Sequence, residues 1–253
     1  MTTRRWHNSI GIAVAMIACC VAVRAWAQAD MLAAGAFSAL KAGMALPENW
    51  KPLGVSSATR RTRYTLVDDS GVTVVRAEAY ASASGLSRNI NLNPTEYPNL
   101  KWRWKIANVL KSSDIRSKKG DDYPARVYVM FDYPLAKLSF TERTKLRLAR
   151  ALHDPNLPAA TLCYVWDGKA PAGTIVASSY TNLVRIIVVE SGASRVNQWL
   201  TVERDVAADF KAAFGDDAPP VSAVAIATDT DGTGESALAF YGDISFYKHR
   251  VTK

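Results

Sequence analysis

Lys101-Trp102-Arg103-Trp104-Lys105-Ile106 alternates bulky apolar side chains with cations at every step. Successive side chains of an extended chain point to opposite faces, so Trp102, Trp104 and Ile106 share one face and three cations share the other. The stretch reads as a half-buried strand with its indoles toward a core. Arg126 to Phe131 repeats the pattern, with Val127, Val129 and Phe131 opposite Arg126, Tyr128 and Met130. Upstream, Tyr64 to Val67 and Val72 to Ala81 flank Asp68-Asp69-Ser70-Gly71, a hairpin turn whose Asp and Gly residues tolerate positive backbone angles. Further strands are expected at Leu162 to Trp166, Leu183 to Val189, Trp199 to Val202, Ser222 to Ala227 and Ala237 to Tyr247. Short strands between regular turn signals predict an all-β fold, an antiparallel β-sandwich of jelly-roll type, running from residue 50 to residue 253.

Two segments break this rhythm and predict short helices. Ser139-Phe140-Thr141-Glu142 is a capping box, in which serine and glutamate satisfy each other's free backbone amides, and Arg143 to Leu152 continues it. Val206, Phe210 and Phe214 fall on one side of a second helix closed by Gly215.

The N-terminus reads as a secretory signal. Arg4 and Arg5 precede the apolar run Ile10 to Val23, and Ala25-Trp26-Ala27 offers the small-x-small cleavage pattern, which puts a signal peptide at 1–27 and an N-terminal extension at 28–49. The run is shorter than the roughly 20 residues needed to cross a bilayer. The expected location is therefore periplasmic or secreted. Without 1–27, Lys plus Arg falls from 31 to 28, Asp plus Glu stays at 23, and the net charge falls from +8 to +5. An excess this modest, in a chain read as exported, argues against nucleic acid as a partner. Cys163 is the one cysteine after the signal and reads as a small core residue.

Tyr97-Pro98-x-Leu100-x-Trp102-Arg103-Trp104, Gly120-Asp121-Asp122-Tyr123-Pro124-Ala125-Arg126-Val127-Tyr128-Val129-x-Phe131, Tyr164-Val165-Trp166-Asp167, Ala225-x-Ala227-Thr228-Asp229-Thr230-Asp231-x-Thr233-Gly234 and Tyr241-Gly242-Asp243-Ile244 follow one another in order. Together they resemble the bacterial domain of unknown function 3047 family, over roughly Pro47 to Phe246. Gly232 and Asp205 stand where that pattern has Asn. A looser similarity, in the order of the last strands, is to galactose-binding-like jelly rolls of carbohydrate-binding modules.

The densest polar constellation joins Asp121, Asp122, Asp229, Asp231, Glu235 and Asp243 with Arg103 and Arg126 on the outward faces of their strands. Cations from a sheet face and carboxylates at strand ends suit a polyhydroxylated or charged ligand. The expected ligand-binding residues are Arg103, Asp121, Asp122, Arg126, Tyr128, Asp229, Asp231 and Asp243, with Tyr123 and Tyr241 as exposed aromatic neighbours. The competing reading makes the same acids turn caps and ion-pair partners. Asp229-x-Asp231-x-Thr233-Gly234 mimics the first half of a calcium loop, but Phe240 occupies the position of the bidentate glutamate, so only an irregular calcium site on Asp229, Asp231 and Thr233 is open. No other cofactor is expected.

Catalytic signals are sparse: after the signal the only histidines are His153 and His249, and there is no Gly-x-Ser-x-Gly or His-Glu-x-x-His. The reading is a non-catalytic module that binds a saccharide or other envelope polymer. The alternative is a polysaccharide hydrolase or lyase using Asp122 with Asp229 or Glu235. The basic helix 143–150, with Arg143, Lys145, Arg147 and Arg150, adds an expected contact with an anionic membrane surface.

Overall fold

A computed structural model describes residues 30–53, 60–152 and 157–248. The expected signal peptide, His153 and His249 lie outside the described residues. Among the described residues, thirteen strands and two α-helices follow in the order β1 (Met31–Gly35), β2 (Lys51–Leu53), β3 (Arg63–Asp69), β4 (Val72–Tyr80), β5 (Ala83–Leu92), β6 (Asn99–Ile106), β7 (Ala125–Phe131), α1 (Phe140–Leu152), β8 (Ala160–Asp167), β9 (Ile175–Ala177), β10 (Val184–Ser191), β11 (Leu200–Asp205), α2 (Val206–Phe214), β12 (Val221–Asp229) and β13 (Ser236–Tyr247). They form a two-sheet sandwich. The first sheet runs β11-β6-β13-β4-β3, with β1 on the far half of β13, and the second runs β2-β5-β12-β7-β8-β10-β9.

The tryptophan strand does what its alternation requires. In β6, Leu100, Trp102, Trp104 and Ile106 are buried while the residues between them are half-buried. Trp102 packs against Tyr164 at 5.2 Å and Trp104 against Trp166 at 6.1 Å, so the indoles of one sheet meet the aromatics of the other. Burial of about 200 Å² of indole at about 25 cal/mol per Å² contributes about 5 kcal/mol of gross stabilisation per tryptophan. The indole N–H groups of Trp102 and Trp104 find no acceptor among the described residues, a cost of about 1–3 kcal/mol each that burial outweighs.

Local signals hold as well. Ser70 (φ 61°) and Gly71 (φ 84°) make the two-residue hairpin turn, and the Gly71 N–H donates to Asp68 Oδ1 at 3.1 Å. The Ser139 hydroxyl meets Glu142 Oε2 at 2.7 Å while the Glu142 N–H donates to Ser139 Oγ at 3.2 Å, closing the capping box on α1. Asp205 caps α2 by accepting from the Ala208 N–H at 2.9 Å, and Gly215 ends it with φ 77°.

Three features differ from expectation. Met31–Gly35 pairs with β13, and Ala34 and Phe37 are buried in the main core, so part of 28–49 belongs to the sandwich, which was expected to begin at residue 50. β8 and β10 pair in parallel, the one parallel pairing among otherwise antiparallel ladders of the described residues. Every residue of β8 is buried, so it carries the continuous apolar run typical of strands covered on both faces, and no alternation betrays its direction. β5, Ala-Ser-Gly-Leu-Ser-Arg-Asn-Ile-Asn-Leu, is too rich in small and polar residues to read as a strand, yet it lies between β2 and β12.

Candidate functional site

Arg126, the second residue of β7, lies on the outward face of the second sheet and is only 5% exposed. Its Nε donates to Asp229 Oδ1 at 2.8 Å and its Nη2 to Asp229 Oδ2, a two-pronged pair with the last residue of β12. Nη2 also donates to the Asp121 carbonyl, Nη1 lies 3.4 Å from Asp121 Oδ1, and the Tyr123 ring stacks 4.4 Å from the guanidinium carbon. The Tyr123 N–H donates to Asp229 Oδ1 at 3.1 Å. Burial works against the charge of Arg126, and the facing Asp229 and Asp121 outweigh it and hold the guanidinium protonated. Burial pushes the Asp229 carboxyl up to about 6 against the pull of Arg126.

Asp122, 2% exposed, accepts from the Thr233 N–H at 2.6 Å and the Gly232 N–H at 3.3 Å, tying the 121–124 segment to the 230–234 turn. A Cβ on Gly232 would stand 2.7 Å from the Lys119 carbonyl oxygen, so the residue that departs from the expected Asn is the one that fits this close approach. Oxygens of Asp122, Asp229 and Asp231 come within 4.8 Å of one another. Both Asp229 oxygens are already engaged by Arg126, and Asp231 alone of the three is exposed. Burial and then the charge of Asp122 raise the Asp231 carboxyl above its usual range.

Of the residues singled out in the sequence, Asp121, Asp122, Arg126, Asp229, Asp231 and Thr233 thus meet in one place, with Tyr128 on the same sheet face. Arg103 and Asp243 do not join them. Arg103 projects from the outward face of the first sheet, with its guanidinium carbon 4.4 Å from the Trp199 ring and its Nε packed where a Cβ on Gly242 would be. Asp243 accepts from the Ser38 N–H at 2.8 Å and from the Ser38 hydroxyl, holding the N-terminal segment against β13. Alternation told which face each residue takes on its strand, but not which sheet the strand joins. Glu235 accepts from the Lys111 and Ser112 N–H groups, at 3.0 and 2.7 Å, as a loop cap. Tyr123 and Tyr241, expected at the surface, are buried; Tyr241 faces the core and its hydroxyl meets Thr228 Oγ1 at 2.9 Å.

The acidic network closes one end of a groove that the sequence reading missed. A cavity of about 470 Å³ lies over the outward face of the second sheet, reached by Asp229, Ala227, Gly85, Tyr128, Thr161 and Tyr180. A neighbouring cavity of about 720 Å³ shares Leu53, Met130, Leu157 and Pro158 with it, so the two make one elongated track. Its depth comes from small side chains: Ala227 pairs with Gly85 and Ala225 with Ser87 across β12 and β5. A Cβ on Gly85 would stand 2.8 Å from the Ile226 carbonyl oxygen. α1 walls the groove with Leu146 and Ala149, and Tyr180, whose hydroxyl donates to the Lys118 carbonyl at 2.8 Å, stands at its mouth. The signal in the sequence was the run of alternate alanines at 223, 225 and 227, an outward strand face with no bulk.

No curated protein matches the sequence. Among solved structures, the chain is similar to the glycoside hydrolase domain of Endo-D from Streptococcus pneumoniae R6 (11% identity, TM-score 0.34), covering 79% of this chain and 22% of that one, so it spans about a fifth of that structure's length. It is similar to the family 30 carbohydrate-binding module of a cellulosomal cellulase of Clostridium thermocellum (11% identity, TM-score 0.39, 87% of this chain and 98% of that one). A third similarity is to the xyloglucanase domain of NopAA, a type three effector from Sinorhizobium fredii, in complex with cellobiose (9% identity, TM-score 0.40, 79% and 98%). The family model described as protein of unknown function (DUF3047) matches residues 48–245, most of both sheets, and the chain belongs to that family.

Proposed function

We propose that the chain is an exported, non-catalytic module that binds an elongated saccharide or related envelope polymer in the groove of the second sheet. The observation that carries this reading is the track itself, formed by two adjoining cavities of about 470 and 720 Å³ over a floor of alanine, glycine and serine. Sugar rings present apolar C–H faces and hydroxyl edges. Tyr128, Tyr180, Leu53 and Met130 offer surface to the first, and Thr161, Asn182, Lys145 and Asp229 offer donors and acceptors to the second. The carboxylates are poorly placed for acid–base work, since Asp229 is held by Arg126, Asp122 by two backbone N–H groups and Glu235 by two others. One observation favours the second reading, a polysaccharide hydrolase or lyase: the Asp229 carboxyl, raised to about 6, reaches into the groove.

Affinity electrophoresis against cell-wall and extracellular glycans tests both. Retardation by at least one glycan, lost when Ala227→Leu fills the floor and weakened by Tyr180→Ala, supports binding in the groove. Unchanged glycan length supports the non-catalytic reading, and released reducing ends or unsaturated products support the second. A protein that no glycan retards and that shortens none sinks both.

A further inference from the structure

We propose that the outer face of α1 docks on an anionic lipid surface. The structure divides the four cations of this helix into two pairs. Arg143 Nη2 donates to the Leu138 carbonyl at 3.1 Å, and the Arg150 guanidinium grips the Leu157 carbonyl at 2.7 and 2.9 Å, so these two fasten the helix to its flanks. Lys145 and Arg147 are exposed and have no carboxylate in ion-pair range among the described residues.

Between them runs an apolar stripe. Phe140 is 82% exposed and Leu148 59%, two of six large hydrophobic side chains so exposed among the described residues. At about 100° per residue, Phe140, Thr144, Leu148 and Ala151 fall on one side of the helix, with Arg147 and Lys145 along its two borders. The opposite side is occupied, because Leu146 packs with Leu138 and Leu183. A solvated helix face has no use for an exposed phenylalanine and leucine, whereas an interfacial helix places such residues among the acyl chains and its bordering cations at the headgroups. Charge complementarity names the occupant: the helix carries four cations and one acid, Glu142, which faces away and is engaged by Ser139. The capping box forms the helix in advance, so docking has no folding to drive.

The test uses the whole protein and vesicles of phosphatidylcholine with or without phosphatidylglycerol. Sedimentation with the anionic vesicles at low salt, falling steeply as salt rises, is the expected result. Phe140→Ser with Leu148→Ser should lower the partition coefficient at least tenfold. Arg147→Gln should lower it about fivefold, the equivalent of about 1 kcal/mol per cation near an anionic surface. None of these residues lines the groove, so glycan retardation should be unchanged in both variants. In protein lacking residues 1–27, and with them Cys19 and Cys20, the remaining Cys163 is buried, so Leu148→Cys supplies an accessible thiol for an environment-sensitive dye, whose emission should shift to the blue on adding anionic vesicles. Equal binding to both vesicle types, no binding to either, or undiminished binding by the Phe140 and Leu148 double variant overturns the proposal.

Discussion

Replacing Asp229 by asparagine keeps the shape of the side chain and removes its charge, which strands Arg126. The guanidinium is 5% exposed and cannot shed its proton; the amide oxygen can still accept one N–H, but the opposing charge is gone and only the Asp121 carboxylate, in a long contact of 3.4 Å, remains to balance it. Removing one member of a buried pair costs about 3–5 kcal/mol. Two features set the expected loss at the lower end, about 3 kcal/mol: Asp121 shares the charge, and burial already works against an ionised Asp229. Asp231→Asn, at an exposed carboxylate, should change stability by no more than about 0.5 kcal/mol. Urea unfolding followed by tryptophan fluorescence measures both. Arg126→Met added to Asp229→Asn should recover part of the loss, because the stranded charge goes with it. A loss below about 1 kcal/mol for Asp229→Asn, or a double variant worse than the single, would refute the argument. Melts with calcium and with chelator run alongside: with Arg126 on both Asp229 oxygens the parent should respond to neither. A calcium-dependent rise that disappears in the variant returns the carboxylates to a metal.

Two further outcomes follow. Asp69 accepts from Lys105 Nζ and from Trp199 Nε1 at 2.6 Å, and the Lys105 bond above all holds its carboxyl below the usual range. A carboxyl lowered in the folded state stabilises above its unfolded pKa of about 3.9 and loses that contribution as pH falls through the folded value, so thermal melts of Asp69→Asn should decline less steeply than the parent's below about pH 4. Burial pushes the Cys163 thiol up to about 12, so iodoacetamide at pH 8 should label the folded protein far more slowly than the protein in urea, and equal rates would contradict its burial.

The legible parts of this chain are those where one residue's pattern settles its own environment. Trp102 and Trp104 between cations, Asp68 to Gly71, and Ser139 with Glu142 each specify a local structure that nothing distant alters. The acidic network was legible only as proximity: Asp121-Asp122 and Asp229-x-Asp231 do converge, but whether a carboxylate serves a ligand or a guanidinium depends on strand neighbours. Asp229 reaches Arg126 because Ala227, two residues earlier on β12, stands in register with Arg126 on β7. Asp243 carries the same chemistry on a strand of the other sheet and reaches Ser38 instead. The groove was illegible because its floor is made of what is missing, and β5, which forms half of it, lacks the apolar side chains by which strands are recognised.

Strand β12 connects the groove to the network by a single alternation. Inward, Val224 and Ile226 fill the core; outward, Ala223, Ala225 and Ala227 leave space, and the next outward position is Asp229. Continued with another alanine, the strand would leave the floor open at this end and Arg126 without its partner. Ending it with aspartate stops the groove against a neutralised pair whose charges are spent on each other. On the proposed reading, a ligand lying in the groove would meet little net charge from Asp229 and Arg126, and its recognition would rest on shape, ring faces and hydroxyl partners. Of the two exposed α1 cations without a carboxylate partner among the described residues, Lys145 reaches the groove and Arg147 stands at the border of the outer stripe. The two surfaces divide the chemistry between them: α1 offers Leu146 and Ala149 to the groove on one side and Phe140 and Leu148 to the outside on the other.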